Sequence, residues 1–93
     1  MTKTNYFISY DLNSPGQDYT KIAQAIGKLG ASMRVQRSMF YLRSTLSEQD
    51  VFNAVWGAMD RNDSLLVITG ASSARWQNLL PGSTEFINKY WNS

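Results

Sequence analysis

Asp11 is the residue of this chain best placed to hold a cation. It closes the first apolar run, Tyr6-Phe7-Ile8-Ser9-Tyr10-Asp11-Leu12, which alternates and is rich in aromatic and β-branched residues, the pattern of a strand. An acid at a strand exit sits where sheet meets solvent, within reach of a hard divalent ion such as Mg²⁺. Histidine and cysteine are both absent, which removes the commonest general base, thiolate nucleophiles, disulfides and the usual zinc ligands. Any catalysis would therefore use carboxylates, hydroxyls, lysine or a metal-bound water. Ser9, Ser38, Ser72 and Ser73 have no histidine to activate them, and no glycine-rich phosphate loop occurs. The second group with chemistry is basic: Arg34, Arg37 and Arg43, with Tyr41 interleaved. Arginine suits bidentate phosphate contact and stacking on bases. Each group also has an ordinary alternative. An aspartate before Asn13-Ser14-Pro15-Gly16 can simply accept backbone N–H groups of the turn, and arginines along a strand edge can simply discourage aggregation.

The elements that must position these residues follow from periodicity. Asp18 can cap a helix running from about Tyr19 to Leu29, with Ile22, Ala25, Ile26 and Leu29 on one face and Gly30 as terminator. Residues 31–44 return to alternation and read as two strands meeting near Gln36-Arg37-Ser38, or as one bent strand. Ser47 and Asp50 form a capping pattern ahead of the stripe Val51, Phe52, Val55, Trp56 and Met59, a core-facing helix. After the polar turn Asp60-Arg61-Asn62-Asp63, the consecutive apolar residues Leu65-Leu66-Val67-Ile68 have the look of a strand buried on both faces. The order β-α-β-β-α-β is the split βαβ, ferredoxin-like α+β sandwich. Its core, about residues 5–70, should unite Ile22, Ile26, Phe52, Val55, Trp56 and Leu66. Residues 71–93 add Trp76, Leu79, Leu80 and a short helical pattern in Phe86, Ile87, Tyr90 and Trp91. That extension is too aromatic for a free tail and should pack on the sheet edge, the helices or another subunit.

Composition limits the reading further. With 93 residues there is room for one domain, 1–93, and one modest core. Charged residues make up only 17% against 43% hydrophobic, so a partner surface is a plausible place to bury what a small monomer cannot. A net charge of +2 is too small to identify nucleic acid as a partner by itself. No signal-peptide pattern opens the chain and no stretch is long enough to span a membrane, so a soluble, cytoplasmic protein is expected. On the first strand, alternation puts Tyr6, Ile8, Tyr10 and Leu12 toward the helices and Phe7, Ser9 and Asp11 on the other face. Joined there by Met39 and Tyr41, that face should be open and should form a homodimer interface, with Trp91 of the C-terminal segment as a further candidate. A two-fold axis on this face could bring two Asp11 carboxylates together, and Mg²⁺ would relieve their repulsion.

The strand ending Tyr10-Asp11-Leu12 and the later Val35-Gln36-Arg37-Ser38-Met39-Phe40 resemble the second CRISPR adaptation protein, a family of small, dimeric, ferredoxin-like proteins. Met39 stands where the family has valine, and Gly30 and Arg34 also fit. The resemblance runs from Tyr6 to about Thr69. It implies a metal-dependent nuclease, or a structural DNA- or RNA-binding partner, with Asp11 as catalytic metal ligand. The chain departs from the pattern in two places. Asn13-Ser14-Pro15-Gly16-Gln17-Asp18 stands where many members carry basic residues, and the segment after Gly70 differs from the family's closing strand. The chain also looks similar to a SinR-like bacterial group and, more distantly, to the virulence-associated protein D ribonucleases. Against the nuclease stands a non-catalytic homodimeric module that regulates or binds a protein partner on the same fold; the sparse acids around Asp11 favour it.

Overall fold

A computed structural model of the chain describes residues 2–13, 19–70 and 72–93. The elements are β1 (Thr4–Asp11), α1 (Thr20–Gly27), β2 (Ala31–Gln36), β3 (Met39–Ser44), α2 (Glu48–Trp56), β4 (Ser64–Thr69) and α3 (Ser83–Tyr90). The strands form one four-stranded sheet in the order β2-β3-β1-β4, with every neighbouring pair antiparallel. This is the ferredoxin-like α+β arrangement, followed by an additional C-terminal helix. The β2–β3 turn falls at Arg37-Ser38 without glycine or proline.

Alternation along β1 divides the sheet into two faces. Tyr6, Ile8 and Tyr10, with Phe40 and Leu42 of β3, are buried against Ile22 and Ile26 of α1 and Val51 and Val55 of α2. The tyrosines reach out of this layer to main-chain acceptors: Tyr6 Oη donates to the Leu46 carbonyl at 2.6 Å and Tyr10 Oη to the Arg37 carbonyl at 3.2 Å. Ser47 caps α2 as its spacing predicts, its Oγ accepting from the Asp50 N–H at 3.2 Å, and Glu48 and Asp50 in the first turn suit the helix dipole. The cap expected of Asp18 lies outside the described residues. Gly30 has a different task from helix termination: α1 already ends at Gly27, and a Cβ at residue 30 would collide with the Arg43 carbonyl oxygen. The connection to β2 therefore passes too close to β3 for any side chain.

The second face corrects the expectation of an open dimerisation surface. Tyr41 is 0% exposed, buried with Val35 under Ile87 of α3. Phe7, Met39 and Trp91 are half-buried in the same cluster. Trp91 stacks on Tyr41 with ring centroids 6.2 Å apart and planes at 16°. A polar chain fixes the docking: Tyr41 Oη donates to Asn5 Oδ1 at 2.6 Å, and Asn5 Nδ2 donates to the Trp91 carbonyl at 3.2 Å. Apolar residues assigned to a partner are thus covered by the chain's own C-terminal segment, and Tyr41 is unavailable to a second copy in this fold. The expected core needs correction as well. Phe52 and Trp56 are only half-buried, and Leu66 is 57% exposed, because it points to the sheet face on which α3 packs toward β2, at the opposite edge.

Candidate functional site

The C-terminal end of β1 meets the β2–β3 turn, and the Tyr10 N–H donates to the Ser38 carbonyl at 3.0 Å across that junction. A cleft of about 350 Å³ opens here, lined by Tyr10, Asp11, Leu12, Asn13, Tyr19, Arg37 and Ser38. Two segments far apart in sequence, the strand exit with Asp11 and the Arg37-Ser38 turn, therefore share one site. Its floor is held by a residue that sequence reasoning missed. Asp63 is buried; its Oδ1 accepts the Asn13 N–H at 2.9 Å and its Oδ2 the Asp60 N–H at 2.8 Å. Asn13 Nδ2 adds a bond to the Asn62 carbonyl at 2.9 Å. The signal available was the pair of aspartates bracketing the Asp60–Asp63 turn, since a short acid beside a turn readily accepts backbone N–H groups. Asp63 meets the backbone of Asn13, which leaves the Asp11 carboxylate exposed at the cleft.

Behind the cleft, the Arg34 guanidinium lies 4.0 Å from the centroid of the Tyr19 ring, a cation–π contact. Tyr19 is itself 39% exposed. Burial pushes the Tyr10 phenol above its ordinary value of 10.0, while the positive charge of Arg34 and a hydrogen bond from it pull partly the other way. Arg34 thus belongs to the supporting wall of the site, and Arg37 is exposed at its rim.

The three arginines do not form one cluster. Arg43 pairs with Asn5 at the start of β1, whereas Met39 pairs with Ser9 near its end. Four residues of strand put Arg43 about 13 Å from the turn. Its Nη2 donates to the Ser93 carbonyl at 3.0 Å, which ties down the C-terminus, so Arg43 anchors the tail instead of extending the site.

Among the described residues no group of three or more acidic, histidine or cysteine side chains could hold an ion. Asp11 pairs with Ser64 across the β1–β4 ladder, and with Ser9 these two line a second hollow of about 220 Å³. One carboxylate and two hydroxyls would leave Mg²⁺ most of its waters, the kind of site that a substrate phosphate completes.

No protein-family model and no curated protein matches the chain. Among solved structures it is similar to the crystal structure of a hypothetical protein, TT1823, from Thermus thermophilus. The identity is 23% and the TM-score 0.63, over 83% of this chain and 93% of that one. The likeness shows the fold, which the two chains share. No helix among the described residues is long and apolar enough to cross a membrane.

Proposed function

We propose that this protein binds single-stranded nucleic acid, DNA or RNA, at the β1 exit cleft, and that it works as a homodimer. The observation that carries the reading is the Arg34–Tyr19 stack opening beside Arg37. A cation behind an exposed aromatic ring makes a rigid platform on which a base can stack. Arg37 at the rim supplies a phosphate contact, and Ser38 and Asn13 line the cleft with further hydrogen-bonding groups. Asp11 can accept from a base amino group, a role that needs no metal. Metal-dependent cleavage would need the substrate phosphate to complete the metal's shell, since Asp11 is the one acid among the described residues that line the cleft. Without nucleic-acid binding, the fold would serve as a regulatory or protein-interaction module.

Fluorescence anisotropy with labelled single-stranded DNA and RNA, titrated with salt, tests the reading. Arg37→Ala should weaken binding and lower the log–log salt slope by about one. Tyr19→Ala should weaken binding about tenfold or more, the usual worth of one stacked base. Asp11→Asn should leave most of the affinity. Cleavage with Mg²⁺ or Mn²⁺ that disappears in Asp11→Asn would establish the nuclease instead. No binding to any oligonucleotide at low salt would sink the proposal.

A further inference from the structure

The two edges of the sheet are finished differently. On the β2 side, the register shifts between Arg34 and Gln36, and the Leu80 N–H donates to the Val35 carbonyl at 2.9 Å. A bulge, a charge and a covering segment are the usual protections of an edge. Among the described residues β4 shows no bulge in its register and carries no charge. Its sequence, Ser-Leu-Leu-Val-Ile-Thr, has no glycine or proline either, and among the described residues it pairs with β1 alone. Leu66 is 57% and Ile68 46% exposed on one face of it. On the other face Val67 and Phe52 line a groove of about 410 Å³ with Glu48 and Gln49. Three residues whose spacing assigns them to the core are not fully covered: Leu66 is exposed on the strand, and Phe52 and Trp56, stacked together on α2 with ring planes at 15°, are half-buried. The sequence is patterned as if β4 were an interior strand.

The geometry points to a second copy of this chain on β4, joining two sheets edge to edge into one of eight strands. Backbone direction fixes the register. The Gly70 N–H donates to the Asn5 carbonyl, so in this antiparallel ladder Leu66 and Ile68 turn their main-chain groups toward β1, while Leu65, Val67 and Thr69 turn theirs outward. A two-fold axis through Val67 then pairs Val67 with itself and Leu65 with the second copy's Thr69, satisfying the outward groups. It also sets Leu66 beside the second copy's Ile68, and Ile68 beside its Leu66, on one face. A neutral strand can meet itself this way with no like charges opposed, which makes the interface self-complementary. The pairing does not rest on the nucleic-acid reading. It does bear on the metal: Asp11 lies beside Ser64, so the two copies of Asp11 fall at opposite ends of the joint, roughly 25 Å apart. They cannot share an ion in this dimer.

Sedimentation equilibrium at high micromolar concentration should give twice the 10.5 kDa of the chain. Leu66→Lys changes an exposed residue of the monomer and should raise the dimer dissociation constant at least about tenfold, since a charge then faces an apolar neighbour across the joint. Val67→Pro removes an outward N–H without touching the β1 ladder and should also give a monomer with unchanged far-UV circular dichroism. Register is read by single cysteines, because the chain has none of its own. Val67→Cys should form a disulfide-linked dimer on mild oxidation, and Ser64→Cys, which lies opposite residue 70 of the second copy, should not. A monomeric wild type overturns the proposal and leaves the edge to a strand from another protein. A dimer that survives both Leu66→Lys and Val67→Pro, or that cross-links through Ser64→Cys in preference to Val67→Cys, overturns it equally.

Discussion

On the α1/α2 face the sheet meets aliphatic helix residues, Ile22, Ile26, Val51 and Val55, which sit in its layer of Tyr6, Ile8, Tyr10, Phe40 and Leu42. On the opposite face Val35 and Tyr41 meet Ile87 and a surround of Phe7, Trp76, Phe86, Tyr90 and Trp91. The first layer is closed by two helices woven between the strands in sequence. The second is closed by one eight-residue helix that follows the last strand. Chain connection makes the difference. α1 and α2 cannot leave the sheet without breaking the crossovers that join its strands, while α3 follows the last strand and joins no two strands of the sheet. Stability should therefore be global on the first face and more local on the second.

The sharpest break of this comparison is a matched pair of truncations. Ile26 and Ile87 are the same side chain, and both are 0% exposed. Ile26→Ala should cost about 2–5 kcal/mol, the range for an aliphatic truncation that leaves a cavity, and should lower the urea midpoint of the whole protein. Ile87→Ala should cost less, about 2 kcal/mol, because the C-terminal segment can undock before the sheet unfolds. Hydrogen exchange separates the two cases. Amides of α3 should lose protection in Ile87→Ala while those of α1, α2 and β1 keep theirs. Equal losses, with all amides opening together, would make the two faces one unit and end the distinction.

Where the sequence could be read, and where it could not, follows the same division. The helical stripe of α1 and the Ser47 cap are local patterns of a few residues, so periodicity and capping rules reach them, whereas the Arg37-Ser38 turn, without glycine or proline, leaves two strands and one bent strand equally open. The second layer is not local. Phe86, Ile87 and Trp91 announce an amphipathic segment, but nothing nearby says that its target is Tyr41, 50 residues upstream of Trp91 and on the chain's own sheet. Assigning Tyr41 to a partner surface was the consequence. The run Leu65–Ile68 misled for a related reason: four consecutive apolar residues specify a covered strand but not whether the cover belongs to the same molecule. Asp11 and Arg37 share the cleft because the β1–β3 register brings Ser9 opposite Met39. The family resemblance pairs those two segments, while spacing alone does not. Asp63 was hidden by its type, since a buried aspartate in a polar turn looks like its exposed neighbours until its two backbone donors are seen.

The smallest effect lies in the polar link that holds the second face. Tyr41→Phe keeps the ring that stacks on Trp91 and removes only the hydroxyl, leaving Asn5 Oδ1 buried without its 2.6 Å donor. An acceptor stranded in this way costs about 1–2 kcal/mol near neutral pH. The cost should shrink in alkali. Burial pushes the Tyr41 phenol above its ordinary value of 10.0, and the Arg43 charge pulls it back only in part. A raised phenol means that the folded state favours the protonated form. Its contribution is complete below pH 10 and is lost as pH rises through the folded value, because the unfolded chain ionises first. Tyr6 and Tyr10 are shifted in the same direction, so the wild type should hold a flat stability up to about pH 10 and then fall. Tyr41→Phe removes one of these titrating groups, and its alkaline fall should be shallower, so the gap to wild type narrows above pH 10 in chemical denaturation. Parallel curves across that range would mean that the Tyr41 hydroxyl titrates alike in folded and unfolded chains, and the buried link between β3 and the C-terminal segment would then be no tighter than an exposed one.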